Sequence, residues 1–261
     1  MGNLALTSVD MLARAAAVVP YTMEVQLTTK EQAILKWVGR FQQLSTRQVK
    51  ALVYPGQPFD PQRRAINQLL EHKLLSLVNQ KHYASAGGGN RMHVFQIGRE
   101  GRKLYDVGRR GISRVVNYHA LAIADVYISL LEAERAGQAT IFAYATEPDS
   151  HIEFGSVYLK PDLYVDVGLK ANGKRRAFWV EVDLGSERQK QVMEQITAYK
   201  MAFDASGDYP LPLYPRVVFL AVDDERAQEI NYWLQRATDL PVGMVTVGTV
   251  ATAVDTFASI E

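Results

Sequence analysis

The sequence predicts an α/β protein, α+β overall, in which a small basic module precedes a mixed sheet flanked by helices. Three observations predict it. Early in the chain, apolar residues recur at helical spacing in three short runs and then give way to a hairpin pattern. Later, runs that alternate with period two are interleaved with helical runs, which argues for a mixed sheet. Charge divides along the same line: residues 1–111 carry 16 Lys and Arg against 7 Asp and Glu, and residues 112–261 carry 13 against 21. A net of +9 beside −8 is hidden in a formal total of +1. The basic module suits a polyanionic partner, most simply nucleic acid, and the acidic one suits a metal ion.

Composition narrows the classes. Hydrophobic residues make up 48% of the chain, so a packed core is expected rather than disorder. With no Cys, disulfides, thiolate zinc sites and cysteine nucleophiles are excluded. No apolar run approaches the roughly 18 residues of a membrane span. The short apolar stretch Ala15–Val19 has no basic segment ahead of it, so no secretory signal is expected. The expectation is a cytoplasmic protein with no membrane partner.

Residues 1–27 read as an N-terminal arm or a short helix over Met11–Val19. Thr29-Lys30-Glu31-Gln32 reads as a capping box that opens a helix to about Gln42, with Ile34, Leu35, Val38 and Phe41 as its core face. Ser45-Thr46-Arg47-Gln48 reads as a second capping box, for a helix that ends before Pro55. Asp60 reads as the cap of a third helix, with Pro61 at the first position, where a missing N–H costs nothing. That helix runs to about His72 and buries Ile66, Leu69 and Leu70. Leu74–Tyr83 and Arg91–Ile97 read as strands around a glycine-rich tip, Gly98–Val107 as a closing helix, and Gly108–Gly111 as a linker.

Three short helices followed by a hairpin form the pattern of a winged helix-turn-helix, here residues 28–111. In that pattern the third helix enters the major groove with its N-terminal residues nearest the bases. Those residues are Gln62, Arg63, Arg64 and Asn67, and Arg and Asn suit bidentate readout of guanine and adenine. Arg47, Lys50, Lys81 and Arg91 would meet phosphates. Double-stranded DNA is the expected partner, and a palindromic site would call for a homodimer.

The second domain is expected over 112–261. Ser113 to about Ala136 reads as one long amphipathic helix carrying His119 and Asp125, with Asp125 a candidate extra acid. Thr140–Ala145 reads as a strand. Leu163, Val165, Val167 and Leu169 alternate with Asp162, Tyr164, Asp166 and Gly168, and Phe178, Val180 and Val182 alternate with Trp179, Glu181 and Asp183. Asn172-Gly173 lies between these runs, and such a pair is the strongest short-range hairpin signal. If it is a two-residue loop, Leu163 faces Val182, Val165 faces Val180 and Val167 faces Phe178. Asp162 then opposes Asp183, with Glu181 diagonal, and the matching apolar faces support the register; the carboxylates form a half-buried cluster, the alternative being a solvated polar face on an edge hairpin.

Opposed like charges destabilise a hairpin unless a cation lies among them or one carboxyl keeps its proton. Oxygen ligands of this kind suit Mg²⁺ or Mn²⁺. Asp162, Glu181 and Asp183 are therefore the candidate metal ligands. Ser186 with Gln189 reads as the capping box of the next helix, whose apolar stripe is Val192, Ile196, Tyr199 and Phe203. Arg188, Gln195 and Tyr199 lie along that stripe's edge, within reach of the carboxylates. Arg216–Val222 reads as a buried strand, Glu225–Ala237 as a helix and Val242–Val247 as a last strand. His119 and His151 are isolated, so no His-rich metal site is expected.

Pro161-Asp162, then Glu181-x-Asp183, then Gln195-x-x-x-Tyr199 resembles the PD-(D/E)xK nuclease superfamily. The resemblance implies a mixed sheet flanked by helices in which Asp162 and Glu181 bind a divalent metal. The superfamily's Lys stands two residues after the Glu, where this chain has Asp183, and Arg188 is the cation placed to substitute. The order of parts supports a narrower resemblance. Leu44-Ser45-x-Arg47-Gln48 and Leu70-Glu71-His72-Lys73-Leu74-Leu75 precede Trp179-Val180-Glu181-Val182-Asp183, and this is similar to the replication-relaxation family of plasmid- and phage-associated bacterial proteins. It implies a DNA-binding protein of plasmid or phage replication or its regulation. The alternative is a Mg²⁺- or Mn²⁺-dependent endonuclease or nickase using Asp162 and Glu181, in which Asp183, Arg188, Gln195 and Tyr199 complete the site.

Overall fold

A computed structural model describes residues 26–83, 92–104, 111–154, 156–208, 214–237 and 240–260, with side chains omitted at 79–83, 92 and 208. The expected N-terminal arm, the glycine-rich tip, Arg91 and most of the linker lie outside the described residues, as does the side chain of Lys81. The protein is mixed α/β, with seven α-helices among the described residues. They divide into two compact units, 26–128 and 129–260. Among the described residues no helix is long and apolar enough to cross a membrane.

The N-terminal unit runs α1 (Thr29–Phe41), β1 (Gln43–Ser45), α2 (Thr46–Val53), α3 (Phe59–Glu71), β2 (Leu75–Tyr83) and β3 (Met92–Ile97). Its three strands form one antiparallel sheet in the order β1-β3-β2. The first helix buries Ile34, Leu35, Val38 and Phe41, the face its periodicity marks. Its capping box is one residue earlier than expected: Thr28 accepts from Glu31 N, and Glu31 accepts from Thr28 N at 2.8 Å. The Ser45–Gln48 box forms as read. Asp60 is not the cap of α3. That helix begins two residues upstream of Pro61, with Phe59 lying under the Lys50 ammonium at 3.8 Å, and Asp60 sits in its first turn. Where a closing helix is expected over Gly98–Val107, the described residues 98–104 hold a single 3₁₀ turn, Gly101–Lys103, and 105–107 lie outside the described residues.

The stretch from 111 to 117 is irregular rather than helical, because two buried glutamines claim its backbone. Gln96 donates to Ser113 O at 2.7 Å and accepts from Ser113 N at 2.9 Å. Gln43, directly opposite Gln96 in the sheet, donates to Val115 O at 3.1 Å and accepts from Asn117 N at 2.8 Å. The long helix α4 (Tyr118–Arg135) therefore starts five residues later than its apolar pattern suggests, capped by Asn117. Leu121 packs with Val78 and Val94, and Tyr127 lies against Trp37 and Phe41.

The C-terminal unit is built on a five-stranded mixed sheet, in the order β10-β9-β8-β7-β4. Its strands are β4 (Ala139–Thr146), β7 (Leu163–Leu169), β8 (Lys174–Asp183), β9 (Arg216–Ala221) and β10 (Val245–Thr249). The first three pair antiparallel, and β8, β9 and β10 run parallel. A separate hairpin joins β5 (Ile152–Phe154) to β6 (Val157–Leu159). Helices α5 (Gln189–Ala205) and α6 (Asp224–Leu234) cover one face around Trp179, Phe219, Tyr199 and Trp233. On the other face Phe178 packs on Phe257 of α7 (Ala253–Ser259), with ring centroids 4.8 Å apart.

Two expectations for the central hairpin are corrected. The β7–β8 loop is longer than Asn172-Gly173: Leu163 faces Val180, Val165 faces Phe178, and Leu169 faces Lys174. A shift of two residues keeps every apolar side chain on its face, so alternation alone could not detect it. The alternative of a solvated polar face fails as well, with Trp179, Glu181 and Asp183 all buried. An alternating pattern here records carboxylates inside the protein, not a wet surface.

Candidate functional sites

The corrected register changes the acidic constellation. Position 162 now falls directly across from Glu181, where opposed Cβ atoms lie about 5 Å apart. Asp162 is buried and accepts from Val182 N at 2.7 Å, which ties the end of β7 to β8. Glu181 is buried and accepts from the Tyr199 hydroxyl at 2.5 Å. Tyr199 comes from α5, and its own carbonyl accepts from the Tyr214 hydroxyl at 2.7 Å. Burial above all, then the charges of Asp162, Glu187 and Glu147, push the Glu181 carboxyl well above its ordinary range, against the Tyr199 hydrogen bond. Burial and the neighbouring Glu181 push the Tyr199 hydroxyl up in turn.

Asp183 does not join the pair. It is bound by Arg226 of α6, whose Nη2 and Nε lie 2.7 and 3.2 Å from Oδ2, while Gly185 N donates to Oδ1 at 2.5 Å. Arg226 also donates to the Glu187 carbonyl at 2.6 Å and lies over the Trp233 ring. Burial opposes the charge of Arg226, yet its hydrogen bonds to Asp183 and Glu229 outweigh that and hold its pKa above the ordinary value. Among the described residues, no group of three or more His, Cys, Asp or Glu side chains is placed to hold a metal ion. The expected triad is thus a pair, Asp162 and Glu181, beside a separate Asp183–Arg226 ion pair.

The same ion pair moves the next helix. Asp183 and Arg226 hold the 184–188 segment in a loop, so α5 starts at Gln189 with Arg188, not Ser186, at its cap. Gln191 accepts from Arg188 N at 2.9 Å, and Arg188 itself is exposed. Gln195 reaches Glu187 at 3.4 Å, and its Oε1 is buried without a partner. Glu147, Glu187 and Arg226 were not singled out by sequence reasoning, because two lie in separate connections and Arg226 on α6, and only the folded sheet brings them near Glu181 or Asp183. His151 is also not isolated: its ring nitrogens lie 3.0 Å from Glu147 Oε1 and 3.0 Å from the Tyr158 hydroxyl.

In the N-terminal unit, α3 sorts its candidates by face. Arg63, Arg64 and Asn67 are exposed, with Arg63 paired to Asp60 at 3.1 Å. Gln62 belongs to the core instead, 1% exposed and donating to Thr46 O at 2.6 Å. It lies one turn before Ile66 on the buried stripe, so it cannot read a base. Arg47 is exposed on α2. Lys50 is engaged locally, with Gln57 O and the Phe59 ring. Asp125 accepts from Gln48 Nε2 at 2.8 Å within this unit.

In a comparison with protein families, the family model described as replication-relaxation matches residues 35–209. No curated protein and no solved structure matches the chain.

Proposed function

The chain belongs to the replication-relaxation family, and from that premise we propose that it is a DNA-binding protein of plasmid or phage replication or its regulation, acting in the cytoplasm. Residues 28–111 are the DNA-binding domain, a winged helix-turn-helix, and 112–261 a PD-(D/E)xK-like domain. The observation that carries this reading is the outer face of α3, where Arg63, Arg64 and Asn67 stand exposed in a stretch, residues 1–111, of net +9. The order helix–strand–helix–helix–hairpin with a β1-β3-β2 sheet supports it. In such a module α3 lies in the major groove, where Arg and Asn discriminate bases, and Arg47 meets a phosphate. A palindromic site would be bound by a homodimer.

The test is fluorescence anisotropy with labelled duplex over a salt series. Arg63→Ala with Arg64→Ala should weaken binding by about tenfold or more, since each good base contact is worth about 1–3 kcal/mol. Equal affinity of variant and wild type at every salt concentration would remove α3 as the recognition helix.

A second reading is favoured by the buried Asp162–Glu181 pair: a metal-dependent endonuclease or nickase. Two adjacent buried carboxylates, Glu181 with its pKa raised by burial and by Asp162, fit a hard divalent cation such as Mg²⁺ or Mn²⁺. Asp162 and Glu181 would hold it, Tyr199 would orient Glu181, and Gln195 would present Oε1 beside them. When bound, such a cation lowers the pKa of a water and offsets phosphate charge. Asp183 is committed to Arg226 and exposed Arg188 caps α5, so both act in this reading as supports of the loop beside the pair. Supercoiled plasmid incubated with Mn²⁺ should be nicked by the wild type and untouched by Glu181→Ala. Intact plasmid in both, with DNA binding retained, would leave the first reading alone.

A further inference from the structure

The C-terminal unit is acidic except at one place. Residues 129–261 carry 12 Lys and Arg against 20 Asp and Glu, yet four of those 12 fall within residues 170–176, which contain no acid. They are Lys170, Lys174, Arg175 and Arg176, at the tip of the β7–β8 hairpin. Arg175 is already neutralised: its Nη2 and Nε lie 2.6 and 2.9 Å from the Asp166 carboxylate, and its guanidinium rests on the Phe142 ring. The others are different. Among the described residues the ammonium groups of Lys170 and Lys174 and the Arg176 guanidinium have no ion pair, and Arg176 Nε is buried without any acceptor.

This tip is also braced. Lys170 N donates to Gln138 O at 2.9 Å, Gly173 N to Leu169 O at 2.9 Å, and Asn172 Nδ2 to Ala258 O at 3.1 Å. Asn172 Oδ1 then accepts from Lys174 N at 3.0 Å. Cations on a fixed tip lose little freedom when they meet a ligand. The seven residues of β7 separate the tip from Asp162 by about 20 Å at roughly 3.3 Å per residue. The tip is therefore not part of the acidic pair's surroundings.

We propose that Lys170, Lys174 and Arg176 form a second DNA-contacting surface, which binds phosphates of duplex DNA independently of α3. A unit of net −8 repels a polyanion everywhere except where its cations cluster without counter-ions, and this tip is where they do. The contact carries no sequence information, because phosphates position a protein while base edges specify the site. This inference rests on the DNA-binding reading above.

The test uses the full chain and a labelled 30-base-pair duplex. Lys170→Gln, Lys174→Gln and Arg176→Gln are combined, and affinity is measured against salt. Each lost phosphate contact lowers the slope of log K on log salt by about 0.9, so the slope should fall by about 2–3 and affinity near 0.1 M salt by roughly tenfold or more. Lys170→Arg, Lys174→Arg and Arg176→Lys, which keep the charges, should bind as the wild type does. A charge-matched control, Lys190→Gln with Lys200→Gln and Arg236→Gln, should also keep the slope. If the tip variant keeps the wild-type slope, or the control loses as much, the second surface is overturned while DNA binding stands. If the wild type itself shows no salt-dependent binding, both readings fall.

Discussion

Burial and the charges of Asp162, Glu187 and Glu147 disfavour the ionised form of Glu181 and push its carboxyl above the ordinary range, and the Tyr199 hydrogen bond only partly opposes them. The folded chain thus binds that proton more tightly than the unfolded chain, whose ordinary value is 4.5. The stability this contributes is present below that value and is lost as pH rises through the raised folded pKa. Each unit of the raise is worth about 1.4 kcal/mol. Glu181→Gln keeps the shape and removes the charge. It should melt roughly 2–4 °C or more above the wild type at pH 8 and together with it at pH 4, since 1 kcal/mol moves the melting of a chain this size by about that much. A gap of the same size at both pH values would mean that ionisation is not the cause. Asp183 is instead held in an ion pair. Its charge is matched by Arg226, and removing one member of such a pair strands the other.

At the scale of elements, α3 ends in a way that residue preferences do not favour. Lys73 N donates to Leu70 O and Leu74 N to Leu69 O, the two bonds of a Schellman end, with Lys73 at φ +56° where glycine is the usual occupant. The position is fixed from outside by Gly98, where an added Cβ would stand 2.3 Å from Lys73 O and 2.7 Å from Leu75 O. Lys73→Gly should therefore stabilise the protein by about 1 kcal/mol, and Gly98→Ala should destabilise it by about 1–3 kcal/mol. Urea denaturation checks both, and a destabilising Lys73→Gly would show that the left-handed backbone is not strained. The same lesson holds at α4 and α5. Their apolar stripes are legible, but their starts are set by groups remote in sequence, Gln43 and Gln96 for the one and Asp183 with Arg226 for the other.

Over the whole molecule, the division of charge is the main guide to DNA. In the proposed reading the basic unit would supply salt-dependent attraction at any sequence, and the exposed face of α3 would supply choice among sequences. An acidic unit in the same chain gives up affinity except where it presents cations, and that gives the β7–β8 tip its proposed role. The two sets of variants act on different quantities. Arg63 and Arg64 substitutions should blunt the preference for one duplex over another, whereas the tip substitutions should weaken all duplexes alike and flatten the salt dependence.

The sequence by itself determined the class of the protein, the existence of its main helices and strands, the charge asymmetry and the gathering of Asp162, Glu181 and Asp183 at one end of the central hairpin. These are local: periodicity, capping chemistry and an Asn-Gly turn act within a few residues, and composition needs no coordinates. Tertiary structure alone decided the hairpin register, because a two-residue slip preserves the alternation. It decided the burial of the acidic face, because the covering helices come later in the chain. It also decided the fate of Asp183 and Gln62, whose partners, Arg226 and the Thr46 carbonyl, lie 43 and 16 residues away. A side chain's chemistry is written in its own position, but its partner is chosen by packing.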